Sequence, residues 1–219
     1  MNKQKAFIFD LDGVIVDTAK FHFKAWKKLA NDLGFDFSEE QNEQLKGVSR
    51  AASLTKILAW GNMQLSEEDF NEQMALKNEN YLSYVETMDE KDILPGISRV
   101  INHLTNEKVP FALGSASKNA RNILKKVGLF DKFHAIVDGN DVTKAKPDPE
   151  VFLIAAEKLH VSAEDCVVFE DSLAGIQAAN IANMTSVGIG DELILSEAQH
   201  NFKDFTKVEI SFINNLLKA

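Results

Sequence analysis

Apolar positions along this chain follow two periods, and the change between them divides it into three stretches. The first runs to about Asp17 and opens with the apolar run Phe7-Ile8-Phe9, which ends on Asp10. The second, from about Thr18 to Glu90, spaces its apolar residues three and four apart, as one face of a helix requires. The third, from about Asp92, alternates short apolar runs with helical patterns. In the middle stretch Asp17 or Thr18 caps a helix to Gly34, with Phe21, Ala25, Leu29 and Leu33 on one stripe. Ser38-Glu39-Glu40-Gln41 fits a capping box closed by Gly47, Ser49 caps a helix to about Ala59, and Ser66 opens a longer one. Its stripe is Phe70, Met74, Lys77, Tyr81 and Tyr84. Four helices without a strand predict a small bundle.

The third stretch reads as βα units. Strands are expected at Phe111–Gly114, Ala135–Val137, Val167–Glu170 and Thr185–Val187. Helices are expected at Ile97–Glu107, Asn119–Val127, Pro149–Leu159 and Leu173–Asn183. Such alternation implies an α/β fold with a doubly wound parallel sheet, although it does not give the strand order.

At 219 residues the chain has room for one large domain or for a domain with an insertion. The net charge of −9 argues against a nucleic-acid partner, and any phosphorylated substrate then needs local cations. A single cysteine, Cys166, excludes an internal disulfide and a cysteine-rich zinc site, and it reads as a buried small hydrophobe. The N-terminal apolar run is too short for a signal peptide, and no stretch reaches the ~18 apolar residues of a membrane span. A cytoplasmic monomer is the expectation.

Four segments carry chemistry. In Asp10-Leu11-Asp12-Gly13 two carboxylates follow a strand one residue apart, so both can face one pocket. A divalent cation would resolve their repulsion, and then one carboxylate can attack a phosphoryl group while the other moves a proton. Asp-x-Asp-Gly also suits a plain turn. In Gly114-Ser115-Ala116-Ser117-Lys118-Asn119, hydroxyls and helix-start N–H groups can hold an anion, or Ser117 can simply cap the helix. Lys146 precedes Pro147, which restricts its backbone and could aim its ammonium at a phosphoryl group; the alternative is a solvated loop lysine. Val168-Phe169-Glu170-Asp171-Ser172 ends an apolar strand on adjacent acids, which with Asp10 and the carbonyl or carboxylate of Asp12 make a hard oxygen site suited to Mg2+. The alternative there is an acidic strand end with Ser172 or Asp171 as a helix cap. The segment from Asp138 to Thr143 reads as having no part in the chemistry.

Taken in order, Phe-Asp-Leu-Asp-Gly, Ser-Ala-Ser, Lys-Pro-Asp-Pro and Glu-Asp-Ser resemble the haloacid dehalogenase superfamily of phosphotransferases. The resemblance implies a Rossmann-like core, residues 1–17 and 91–219, with an inserted mobile helical cap, residues 18–90. It implies Asp10 as nucleophile, Asp12 as general acid/base, Ser115 and Lys146 as phosphoryl-positioning groups, and Asp10, Asp12, Glu170 and Asp171 around Mg2+. His22-Phe23-Lys24-Ala25-Trp26, Leu45-Lys46-Gly47-Val48-Ser49-Arg50 and Ser115-Ala116-Ser117-Lys118-Asn119 are similar to the β-phosphoglucomutase branch of that superfamily. That likeness implies interconversion of β-D-glucose 1-phosphate and D-glucose 6-phosphate through an aspartyl phosphate and β-glucose 1,6-bisphosphate. A Mg2+-dependent sugar-phosphate phosphatase is the competing activity. Substrate contacts are then implied for His22, Trp26, Lys46, Gly47, Val48, Ser49, Arg50, Lys77, Ala116, Ser117, Lys118 and Asn119. His22 would couple the position of Asp12 to cap closure, and Arg50 with Lys118 would grip the phosphate not being transferred. From spacing alone, His22 could equally be a core histidine, and Lys46 and Arg50 solvated charges.

Overall fold

The computed structural model describes residues 4–45 and 48–218, so the substrate contacts expected at Lys46 and Gly47 lie outside the described residues. It divides into two compact units, one made of the chain up to Asp17 and from Asp89 onward, the other Thr18–Met88. In the first unit the strands are β1 (Ala6–Phe9), β2 (Phe111–Gly114), β3 (Ala135–Val137), β4 (Cys166–Glu170), β5 (Thr185–Ile189) and β6 (His200–Phe202). They form one sheet in the order β3-β2-β1-β4-β5-β6, with every neighbouring pair parallel.

β1 is buried along its whole length because apolar layers cover both faces of the sheet. On one face Phe7, Phe9, Phe111 and Phe169 pack with Phe133 and Phe205, and the Phe9 and Phe169 rings stack with centroids 5.2 Å apart. On the other, Ala6, Ile8, Ala112, Cys166 and Val168 share a core with Val151, Phe152, Ala155, Ala178 and Ala179. Alternation along β1 therefore assigns Phe7 and Phe9 to one layer and Ile8 to the other. Cys166 belongs to this core, and burial pushes its thiol up to about 12, as suits a hydrophobe rather than a nucleophile.

The helical unit contains α1 (Ala19–Asp32), α2 (Glu39–Glu43), α3 (Arg50–Trp60) and α4 (Glu67–Val85). Ser38 and Gln41 exchange both bonds of the expected capping box, and Ser49 and Ser66 cap α3 and α4. Trp26, Leu29, Ala30, Phe37, Leu54 and Ile57 form its core. The remaining helices belong to the sheet unit: α5 (Ile97–Asn106), α6 (Ala120–Lys126), α7 (Glu150–Lys158), α8 (Leu173–Ile181) and α9 (Ile210–Leu216). Strand β6 and helix α9 are additions to the sequence reading. No helix of the described residues is long and apolar enough to cross a membrane.

Candidate active site

β1, β2 and β4 are adjacent, so their carboxyl ends deliver Asp10, Ser115 and Glu170 to one edge of the sheet. Asp10 is fixed there by its N–H, which donates to the Phe169 carbonyl at 3.0 Å. The Lys146 ammonium is buried with it and donates to Asp10 Oδ1 at 2.6 Å and to Glu170 Oε2 at 2.7 Å. It also lies over the Phe152 ring, 4.7 Å from the centroid. Lys146 is thus no solvated loop residue. Its loop is held by Glu150 at the start of α7, whose carboxylate accepts from the N–H groups of Thr143 and Lys144 at 2.8 and 2.6 Å.

Glu170 is held at its other oxygen. Oε1 accepts from the Ser172 hydroxyl at 2.6 Å and from the Ser172 N–H at 3.1 Å. The same hydroxyl accepts from Gly175 N–H and caps α8, so Ser172 joins the cap to the acid. The sequence marks Ser172 as a helix cap and as the end of the Glu-Asp-Ser motif, but gives no sign of its bond to Glu170. A Cβ on Gly175 would sit 2.0 Å from the Glu170 carboxyl carbon, so the helix start approaches as closely as glycine allows.

Asp171 lies against the turn after β1. That turn closes through Gly13 N–H to the Val16 carbonyl at 2.8 Å, and Gly13 has a φ of 75°. A Cβ at Gly13 would meet Asp171 Oδ2 at 2.1 Å. Left-handed backbone and close approach both demand glycine there. One oxygen each of Asp10, Glu170 and Asp171 lies within 4.8 Å of the others. The half-buried Asp12 stands outside that three-carboxylate set, although its charge is felt by Asp10.

Burial raises the Asp10 carboxyl most; Lys146 works against that, the charges of Glu170 and Asp12 add to it, and the group titrates at about 7. Burial works against the Lys146 ammonium as well, but the charges of Asp10 and Glu170 outweigh it, and the group titrates above its ordinary range. Three convergent carboxylates form an all-oxygen set, the donor type hard divalent cations take. The residues present therefore fit such an ion.

Beyond β2, Ser115 is buried, and its Oγ accepts from Ser117 N–H at 3.1 Å; a hydroxyl so engaged can still donate its own hydrogen. Ser117 Oγ accepts from Asn119 N–H at 3.3 Å. Ala116, Ser117 and Asn119 are half-buried and Lys118 is exposed.

In the helical unit, Lys77 is buried with its ammonium 2.8 Å from His22 Nδ1 and 4.4 Å from the Trp26 ring centroid. An ammonium only donates, so Nδ1 accepts and the proton of His22 sits on Nε2. Burial, then the charges of Lys77 and Arg50, keeps the imidazole well below its ordinary pKa and neutral. Trp26 is a buried core residue covered by Lys77, so both expected substrate contacts are engaged within the unit. Arg50 is half-buried and donates to Asn78 Oδ1 at 2.7 Å. Val48 and Ser49 are half-buried, and Ser49 is engaged as the α3 cap.

A family model described as haloacid dehalogenase-like hydrolase matches residues 4–183. Among curated relatives, β-phosphoglucomutase of Bacillus subtilis (strain 168) is 45% identical over 188 residues, 85% of this chain and 83% of that one. Phosphorylated carbohydrates phosphatase of Thermotoga maritima is 29% identical over 185 residues, 84% of this chain and 83% of that one. The crystal structure of β-phosphoglucomutase from Clostridium difficile superposes with a TM-score of 0.93 at 41% identity, covering 98% of this chain and 97% of that one.

Proposed function

The chain belongs to the haloacid dehalogenase-like hydrolase family, and on that premise we propose that it is a phosphomutase interconverting β-D-glucose 1-phosphate and D-glucose 6-phosphate. The observation that carries this reading is the 45% identity, over 85% of the chain, to a β-phosphoglucomutase.

The site chemistry supports it. Asp10 attacks phosphorus, its carboxylate oxygen forming the new P–O bond as the bond to the sugar oxygen breaks. Asp12 gives its proton to that departing oxygen and later takes one from the hydroxyl that accepts the phosphoryl group. Lys146 offsets the anionic charge that gathers as phosphate meets carboxylates, and Ser115 donates to a phosphoryl oxygen. Asp10, Asp171 and Glu170, with the carbonyl or carboxylate of Asp12, would hold Mg2+, which when bound supplies further charge neutralisation. A mutase holds a bisphosphorylated hexose whose ends react in turn, so it needs an anion grip apart from Asp10. Lys118, Ser117, Ala116 and Asn119 of the sheet unit, and Arg50, Ser49, Val48, Lys46 and Gly47 of the helical unit, are proposed for that grip and for sugar contacts. His22 is proposed to act in its neutral form, with Lys77 and Trp26 setting its orientation. The helical unit's proposed task is to exclude water while sugar is bound. A small-molecule substrate and action as a cytoplasmic monomer go with this reading.

The test supplies β-D-glucose 1-phosphate with a trace of the 1,6-bisphosphate and Mg2+. Glucose 6-phosphate as the main product is the expected result. Mainly free phosphate would instead favour the sugar-phosphate phosphatase, to which a 31% identical Escherichia coli relative, fructose-1-phosphate phosphatase YqaB, gives weaker support.

A further inference from the structure

The loop after β3 is bound to the loop after β2. Gly139 N–H donates to the Ser117 carbonyl at 3.2 Å, and Asn140 Nδ2 donates to the Lys118 carbonyl at 3.0 Å. A Cβ on Gly139 would lie 2.3 Å from the Ala116 carbonyl oxygen and 3.0 Å from Lys118 Cγ, so the two loops touch without spare room. Beneath them Asp138 is wholly buried. Its Oδ1 accepts from the N–H and the Nδ2 of Asn140 at 2.8 and 3.0 Å, and its Oδ2 pairs with Arg121. Arg121 lies in α6, the helix that follows Asn119, and it also donates to the Ile136 carbonyl at 3.1 Å and to Asp141 at 2.7 Å. The Ser117 and Lys118 carbonyls are therefore bonded to the loop after β3 by Gly139 and Asn140, and the helix that follows is tied to β3 itself through Arg121.

We infer that Asp138 and Asn140 are positioning residues that fix the backbone of Ser117 and Lys118, and so set the affinity for the phosphate that is not being transferred. This rests on the phosphomutase reading, in which Lys118 grips that phosphate. Ser115 has a backbone tie of its own, because its N–H is bound to the Val137 carbonyl at 3.0 Å, and its Oγ is joined to the segment only as acceptor of the Ser117 N–H. This brace, the Asn140 bond, therefore bears first on the distant grip at Lys118, and its loss leaves the Ser115 N–H bond in place.

Asn140→Ala removes an exposed side chain with its bonds to the Lys118 carbonyl and Asp138 Oδ1, and leaves the Asp138–Arg121 pair in place; Asp138→Asn keeps the shape and removes the charge. Two measurements separate the ends of the substrate: KM and kcat for β-D-glucose 1-phosphate, and the rate of Asp10 phosphorylation by acetyl phosphate, which has no second phosphate. Asn140→Ala should raise KM about three- to tenfold, the worth of the bond to the Lys118 carbonyl, with acetyl phosphate labelling within about twofold of the parent. Asp138→Asn should raise it at least as much if the protein folds, and Asn140→Ala decides the matter if it does not. An unchanged KM in Asn140→Ala, or a parallel fall in both measurements, would overturn the brace. A parent protein that is labelled by acetyl phosphate but makes no glucose 6-phosphate would instead overturn the phosphomutase reading, and the brace with it.

Discussion

Replacing Lys146 by methionine keeps a buried stem and removes the ammonium that stands 2.6 Å from Asp10 and 2.7 Å from Glu170. With that charge present Asp10 titrates at about 7, so near neutral pH about half of it is ionised before any cation binds. An opposite charge at this range is worth roughly 1–3 pKa units, so the Asp10 of the variant moves to roughly 8–10 and its ionised fraction near pH 7 falls about 5- to 500-fold. The nucleophile is the ionised form, so cation-free protein carries less of it, a difference that a bound divalent cation would narrow by favouring the carboxylate. Loss of the ammonium beside the transferring group adds a further ~10²-fold or more, the usual effect of removing one aligned donor. With Mg2+ bound the loss of turnover is therefore roughly 10²-fold or greater, and it grows where the cation is scarce. Glucose 6-phosphate formation measures the whole, and Asp10 labelling by acetyl phosphate at about pH 6 to 9, at one Mg2+ concentration well below saturation, separates the parts. Labelling of the variant should keep climbing at alkaline pH after that of the parent has levelled. A variant within tenfold of the parent near pH 7, or a labelling profile that superimposes on the parent's, would refute the charge argument.

Gly13→Ala places a methyl 2.1 Å from Asp171 Oδ2 in a left-handed turn, so Mg2+ titration of turnover should show a rise of about tenfold or more in the concentration needed. Normal Mg2+ dependence would remove Asp171 from the cation set. Ser172→Ala loses the α8 cap and the hydroxyl bond to Glu170, and urea unfolding should report about 1–3 kcal/mol less stability; a change below about 0.5 kcal/mol would contradict the double role. Asp10 holds its proton more tightly folded than unfolded, so cation-free protein should lose thermal stability as pH rises from about 4 to about 7. Mg2+ should restore it, and Asp10→Asn should lack that part of the slope; equal slopes in the two proteins would refute the assignment. A chelator should abolish turnover and Mg2+ restore it, whereas turnover indifferent to chelation would defeat the acidic-site reading.

Strand ends could be read from the chain because an apolar run of three to five residues closed by Asp, Ser or Glu is a local pattern. Asp10, Ser115 and Glu170 were visible for that reason. Their neighbourhood was not visible, since it depends on β1 lying between β2 and β4, and parallel order is set by packing over distant segments. Lys77 is intermediate: its place on an apolar stripe announced burial, but its partner His22 lies 55 residues away and only the pairing of α1 with α4 supplies it. β6 and α9 escaped because each is short and half-polar, His200–Phe202 and Ile210–Leu216, and α9 is fastened by a contact far off in sequence, Asn214 to His103 at 2.8 Å. The loop from Asp138 to Asp141 shows the limit most sharply. Asp-Gly-Asn-Asp after a strand is what any solvated turn looks like. Only the pairing of β3 with β2 carries it under Ser117 and Lys118, and only there does Asp138 become a buried anion that must be matched by Arg121. A polar run following a strand is ambiguous until the neighbouring strand is known, and that is where a residue's part in chemistry can hide behind the composition of a loop.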